Sequence, residues 1–494
     1  MPRAREGYLW TKTGLTQGLT TNAVVSSTKS IRSHYDVIII GAGFAGLIAA
    51  RELSRQHRLS VLIVEGRDRV GGRTWTANAH REEFEMGGTW VHWNQPHLYA
   101  ELYRYNLHKN LKTSAGTLAA EKTYYRGAGG REAQVEEVDG QDFGQIAQAV
   151  ADRFFVLDGL NSRELMPYPH DPFRDPAPWK KYDHLTIRQR LDQLDLPTVH
   201  KDYFETLCNS FGSATGTEIG FVEALRWYAL GGHSMDRVFE LAGIYKLGNG
   251  GMTSFALKIL QDTRCDILLD TVISEIIQQS PCGSTIVKSQ NTQTVLNGKA
   301  VISTVPLNCL GDISFTPPLG GPKREAISKG HINKGAKIHF KLKATEPGWF
   351  AAANGYGDSS FCFSFSDHNG HGPSGPDGTY CIGFGYNGFV PDPRDSTTII
   401  DEFKRNLRPD AEVEAYLTHD WANDPLAKGV WSSWGSGCMT KYTKVLQEPH
   451  GQVFFASGDW ADGWRGFIDG AIESGRKAAN EVAALFDTSA QAKL

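Results

Sequence analysis

Three glycines within six residues, Gly41-Ala42-Gly43-Phe44-Ala45-Gly46, are the first place in this chain where spacing alone implies chemistry. Gly41 permits a tight turn, Gly43 lets a pyrophosphate approach bare backbone, and Gly46 lets the next helix pack on the preceding strand. A helix starting there points free N–H groups and the positive end of its dipole at the phosphates, so no cation is needed. The elements that must position the loop are present. Residues 37–40 are apolar and β-branched, which reads as a buried parallel strand. Leu47, Ala50 and Leu53 fall on the inner face of a helix, and residues 59–64 form a second apolar run that ends at Glu65. An acid at that strand end accepts hydrogen bonds from an adenosine ribose and disfavours a 2′-phosphate. Strand, loop, helix, strand and acid together point to a dinucleotide site and leave NAD and FAD both open.

The residues from Glu65 onward separate the two cofactors. Glu65-Gly66-Arg67-Asp68-Arg69-Val70-Gly71-Gly72-Arg73 and Met86-Gly87-Gly88-Thr89-Trp90-Val91 resemble the second FAD signature and the flavin-contacting loop of the flavin amine oxidase family. The resemblance continues through Gly248-Asn249-Gly250-Gly251-Met252, Thr304-Val305-Pro306-Leu307 and the C-terminal block, covering nearly the whole chain. Within the family, Glu6-Gly7-Tyr8-Leu9-Trp10 and the run Thr13-Gly14-Leu15-Thr16-Gln17-Gly18 are similar to the opening of the fungal peroxisomal monoamine oxidases.

The resemblance implies FAD held by Gly41, Gly43, Ala45, Gly46, Glu65, Gly66, Arg67, Gly72, Arg73, Gly87, Gly88, Thr89, Trp90, Val272, Asp459, Phe467 and Ile468. It implies two facing rings before the flavin, Trp431 and Phe467; both are apolar here, where the mammalian enzymes carry Tyr. Val430 stands where those enzymes carry the cysteine bonded to the flavin, so a non-covalent FAD is expected. Lys337 matches the lysine that holds a water at flavin N5, and Phe204, Cys208, Trp227, Asn333 and Phe384 match the substrate pocket. The implied activity is FAD-dependent oxidation of primary alkyl or arylalkyl amines to an imine, then aldehyde and ammonia, with O2 reduced to H2O2. A flavin-binding protein without oxidase turnover is the alternative; Lys337, Trp431 and Phe467 separate the two, because a scaffold does not require them.

Read from its residues alone, Lys337 belongs to a row with His339, Lys341 and Lys343 that alternates with Ala336, Ile338, Phe340 and Leu342, the period of a half-buried strand with a solvated face. The flavin role and the solvated face are therefore competing expectations for Lys337.

The 494 residues suffice for two or more domains with large cores. A net charge of −4 without a basic block argues against nucleic acid. The seven cysteines, 208, 265, 282, 309, 362, 381 and 438, show no metal-ligand spacing and read as reduced thiols of an intracellular protein; no metal is expected. No apolar run spans a membrane, so no membrane anchor is expected. The last three residues, Ala492-Lys493-Leu494, resemble the Ser-Lys-Leu address, which implies a peroxisomal location and the import receptor as partner. Whether the chain forms a homo-oligomer is left open.

The expected class is α/β with an α+β substrate domain: a Rossmann-like FAD-binding domain of the amine oxidase and glutathione reductase type, interleaved with a discontinuous substrate domain. Residues 1–33 are read as a polar extension over the surface. The FAD-binding domain takes 34–110, 248–322 and 424–486, the substrate domain 111–247 and 323–423, and 487–494 are a tail. Helices are expected over 142–157, from a Thr186 cap through Leu194, over 221–230 and from near Phe467. Strands are expected over 267–277 and 285–304, and hairpins and loops over 354–387.

Overall fold

The computed structural model describes residues 1–279, 284–356, 358–371, 377–388, 390 and 392–491. Cys282 and the Ala492-Lys493-Leu494 terminus lie outside the described residues. The other six cysteines are free thiols.

Two sheets carry the structure. The first is built on the strand Tyr35–Ile40, flanked by Val61–Val64 on one side and Val295–Ser303 on the other, all parallel. Asp266–Leu268 and Val453–Phe455 add further parallel strands, the meander Ile273–Gln278, Thr285–Ser289, Val295–Ser303 extends it, and Ser314–Thr316 completes it beside Ile273–Gln278. Val37, Ile39, Ala300 and Ile302 are fully buried under the helices Phe44–Arg51 and Ile468–Gln491. Those two helices meet closely: a Cβ on Gly475 would come within 2.3 Å of the Ala45 carbonyl. The last helix is thereby pinned to the glycine-loop helix, and both present their N-terminal ends to one region.

The second sheet has nine strands and is antiparallel apart from the pairing of Trp349–Ala353 with Lys122–Arg126. Ala336–Leu342 lies inside it, between Val413–Thr418 and the central strand Thr379–Gly385. Helices from the middle of the chain cover one side: Gly140–Phe154, Ile187–Asp192, Thr198–Asn209, Phe221–Leu230 and Met235–Gly243. Thr186 caps its helix as expected, in a reciprocal capping box with Gln189.

Two expectations need refinement in this sheet. The first 33 residues do run extended over the surface, but they are built into the fold. Tyr8–Thr11 and Gly14–Gln17 form a hairpin whose first strand pairs with Val413–Thr418, extending the nine-stranded sheet, and Ala4, Leu19 and Ala23 are buried. Polar composition conceals this because edge strands need only one apolar face. The lysine row is not one solvated face. Lys337 is 3% and His339 4% exposed, while Lys343 is exposed and ion-paired to Glu412. The loop from Glu85 to Thr89 lies over the start of the strand and leaves its far end in water.

Candidate active site

The loop between Tyr35–Ile40 and Phe44–Arg51 has the geometry its spacing implies. Gly41 sits at φ +110°, where a side chain is strained, and a Cβ on Gly46 would come within 2.0 Å of the Gly41 carbonyl, so helix and strand touch there. Gly43 differs: a Cβ there would meet nothing nearer than the Gly72 Cα at 3.9 Å. The space beside Gly43 is thus a cradle edged by backbone, at a helix N-terminus, which suits a pyrophosphate. Glu65 is buried at the end of its strand and accepts N–H bonds from Ala42 (2.7 Å) and Arg67 (2.9 Å); burial pushes its pKa up, against those amides.

These residues open onto one cavity of about 890 Å³ that also reaches the second sheet. Of the cofactor residues expected from the sequence, Gly41, Gly43, Ala45, Glu65, Gly66, Arg67, Gly72, Arg73, Gly87, Gly88, Thr89, Trp90, Val272, Asp459, Phe467 and Ile468 line it. Gly46 does not; it serves the helix–strand contact instead. Arg73 donates to Asp459 at 2.7 Å and to the Val430 carbonyl at 2.7 Å, and the Leu307 N–H donates to the other Asp459 oxygen. Burial works to raise the Asp459 pKa, but Arg73 and His331 outweigh it and hold the carboxyl below its usual range. Cys309 also faces the cavity, with its thiol pushed up to about 12 by burial.

The other half of the cavity is aromatic. Trp431 is fixed by its indole N–H to the Phe211 carbonyl (2.9 Å) and meets Phe384 edge-on at 6.0 Å. Phe211 stacks on Trp227 at 4.5 Å, and Trp227 contacts Phe467 at 4.7 Å. Trp431 is thus tied to the backbone of Phe211, whose ring opens the contact series Phe211, Trp227, Phe467. Of the expected pocket residues, Trp227 and Phe384 line the cavity. Phe204 and Cys208 do not; they are fully buried in the helical core, Phe204 against Phe154 and Phe155. Asn333 is fully buried outside the lining, and its carbonyl accepts the Val430 N–H.

Several lining residues are not among those expected from the sequence: Phe211, Val238 and Phe239 on the helical side, and Phe350, Phe363 and Phe365 on the sheet. The alternation Phe361, Phe363, Phe365 is a visible signal in the sequence, although it falls in the stretch expected to form hairpins and loops. It misleads in one respect. A register shift between Phe361 and Phe363 moves Phe361 to the core on the other face, while Phe363 and Phe365 join Phe384 and Trp90.

Lys337 lines the cavity between the two halves. Its ammonium donates to the Glu85 and Gly87 carbonyls at 2.8 Å each and to the Thr89 hydroxyl, and lies 5.1 Å from the Trp90 ring centre. Burial lowers its pKa to about 7, with the buried Glu85 carboxyl opposing. The solvated-face reading of this residue is thus overturned. Three acceptors use the three ammonium protons, so a water held by Lys337 requires one of them to be given up. The Thr89 hydroxyl, which can rotate, is the acceptor most readily spared.

Comparison with known proteins agrees with this geometry. The sequence pattern of the family described as flavin containing amine oxidoreductase matches residues 44–483. The chain is 33% identical over 450 residues to pseudooxynicotine dehydrogenase from Pseudomonas sp, covering 91% of this chain and 86% of that protein. It is 29% identical over 451 residues to nicotine dehydrogenase from Pseudomonas putida, covering 91% and 88%. Among solved structures, putrescine oxidase bound to putrescine superposes with a TM-score of 0.73 at 20% identity, over 91% of this chain and 99% of that one, a likeness of fold. The glycine cradle, the buried acid and the match along most of the chain agree: this protein belongs to the flavin containing amine oxidoreductase family, and its cofactor is FAD.

Proposed function

We propose that this protein oxidises primary monoamines with alkyl or arylalkyl tails, using O2 as the final acceptor. The observation that carries the reading is the uncharged aromatic lining from Trp431 to Phe467. The acidic side chains among the described lining residues are Glu65, Asp312 and Asp459. Glu65 ends its strand beside the glycine loop, Asp459 is bound to Arg73, and Asp312 pairs with Lys428 at an exposed edge. A carboxylate beside the amine would hold it as ammonium, with no lone pair to assist loss of the α-hydrogen. Aromatic faces orient a neutral, desolvated amine without that penalty.

Bound FAD would supply the two-electron chemistry that links amine oxidation to reduction of O2. The amine becomes an imine, which water cleaves to aldehyde and ammonia, and O2 becomes hydrogen peroxide. Trp431 and Phe467 set the approach of the amine, and the hydrophobic wall excludes water from it. Ile468 starts the last helix at the cavity, so the helix N-terminus favours negative charge on that wall. Lys337 sits at the junction and assists the oxygen step once it releases one acceptor.

Val430 supports non-covalent FAD, and Cys309, the cysteine among the described lining residues, is held as a thiol. Acid precipitation is expected to release all yellow colour into the supernatant; colour left on the washed pellet would contradict this. Ala492-Lys493-Leu494 supports a peroxisomal location through the import receptor.

A second reading replaces O2 with another acceptor. It is favoured by the names of the two relatives, both dehydrogenases, and by the full hydrogen bonding of Lys337. Assaying purified protein with benzylamine, an alkylamine and a diamine, each by peroxide formation and by dye reduction, separates the readings. Peroxide from the monoamines and little from the diamine is expected. Dye reduction without peroxide would establish the second reading.

A further inference from the structure

The opening residues that complete the nine-stranded sheet also reach the FAD-binding loop. Glu6 lies outside the residues that match the family pattern, 44–483. Its carboxylate pairs with two buried arginines, one oxygen with Arg67 and the other with Arg69 Nε at 2.8 Å. Both arginines lie between Glu65 and Gly72, the stretch that lines the cofactor half of the cavity, and Arg67 is itself a lining residue. Arg69 donates onward to the Gly72 carbonyl at 2.8 Å and lies over the Trp75 ring at 4.5 Å. Gly72 in turn faces Gly43 across the cradle. A direct line of contacts thus runs from Glu6 through Arg69 to the backbone beside Gly43.

The same carboxylate closes the other side. Arg67 also pairs with Asp424 at 2.8 Å, and the Asp424 carboxylate accepts from His419 Nε2 at 2.6 Å. Asp424 begins the turn that brings Pro425, Leu426 and Lys428 to the cavity. Glu6, Asp424 and His419 place ligand atoms close enough for a metal ion, but Arg67 already supplies the cation between the two carboxylates. The backbone holds Glu6 in place: Leu19 N–H donates to the Glu6 carbonyl, Ala4 N–H donates to the Leu19 carbonyl, and Val70 N–H donates to the Ala23 carbonyl.

We infer that Glu6 is a positioning residue for FAD: by fixing Arg67 and Arg69 its carboxylate holds both sides of the cofactor cavity closed. Without the carboxylate, two buried guanidiniums lose a partner, and the Gly66–Gly72 loop keeps only its Val70–Ala23 and Asp68–Arg5 ties to the opening residues.

The test is the FAD dissociation constant of Glu6→Gln, measured by flavin fluorescence on reconstituting the apoprotein. An increase of at least ~10-fold is expected. Trp10→Ala serves as control. It removes the stack on Tyr416 (5.5 Å) and so loosens the hairpin without touching either arginine; its FAD affinity is expected to stay within ~3-fold of wild type. In an Arg67→Gln background the Glu6→Gln effect is expected to shrink at least ~3-fold, as their contact requires, while Glu6→Gln apoprotein melts as wild type, which a purely structural role would not produce. If Glu6→Gln does not accumulate as folded protein, Glu6→Asp carries the test, with FAD affinity lowered at least ~3-fold and unchanged apoprotein melting. Wild-type FAD affinity in either folded variant, or equal losses in Trp10→Ala and Glu6→Gln, would overturn the inference.

Discussion

At the scale of single residues, Gly43 and Lys337 carry most of the account. Gly43 has room for a side chain in the protein itself, since a Cβ meets nothing closer than 3.9 Å. Gly43→Val is therefore expected to fold as apoprotein with nearly wild-type melting, yet to fail to retain FAD and to lack the stabilisation that bound FAD confers. Full FAD occupancy in the soluble variant would show that the phosphates lie elsewhere. Lys337 is buried, with a pKa lowered to about 7 by desolvation. Lys337→Met is expected to slow return of reduced enzyme with O2 by at least ~10-fold, about 1.4 kcal/mol of barrier, while reduction by amine changes less. The wild-type oxygen step is expected to depend on pH near neutrality, with an apparent pKa that belongs to Lys337 and Glu85 together. Stopped-flow mixing over a pH series reads both. Equal slowing of the two half-reactions would instead point to lost FAD or a disturbed fold.

At the scale of elements, the last helix matters most, because its first turn lines the cavity. Asp469 in that turn accepts the Leu98 N–H at 2.8 Å and so caps the helix Pro96–Arg104, tying two helices together. Burial raises its pKa from 3.8 to about 7, with the neighbouring Glu473 adding to the shift. The folded state therefore binds more protons than the unfolded chain between those values. The stabilisation from this group is present at low pH and lost as pH rises through about 7. Asp469→Asn keeps an acceptor and cannot ionise, so its melting temperature is expected to gain on wild type from pH 5 to pH 8. Asp469→Ala is expected to cost about 1 kcal/mol through loss of the cap. A pH-independent difference for Asp469→Asn would mean that the carboxyl is ionised throughout.

Elements also differ in how far the sequence alone reveals them. The Gly41–Glu65 unit is legible because its chemistry depends on local spacing, and the Phe221–Leu230 helix because its apolar pattern is continuous. Lys337 and the Phe363–Phe365 wall are legible only in part. Whether an alternating strand has a wet face depends on what the distant Glu85–Thr89 loop covers, and a register shift changes faces without changing composition. Phe204, Cys208 and Asn333 carry residue types suited to a pocket, yet neighbouring helices and loops seal them into the core.

At the scale of the whole molecule, the two sheets share one cavity, and the proposed function has cofactor and amine meet in it. Among the described residues no helix is long and apolar enough to cross a membrane. A fluorescent fusion with a free C-terminus is expected in puncta that overlap catalase, and deletion of Ala492-Lys493-Leu494 is expected to leave it diffuse; puncta that survive the deletion would refute the address. The proposed function has amine electrons pass through FAD to oxygen. Mixing wild-type enzyme with benzylamine or an alkylamine without oxygen, then adding oxygen to the reduced protein, tests this in one measurement. The yellow flavin is expected to bleach with the amine and to return with oxygen, one peroxide being formed per flavin. Flavin that stays yellow with every amine, or that stays bleached in oxygen and returns only with a dye, would contradict it.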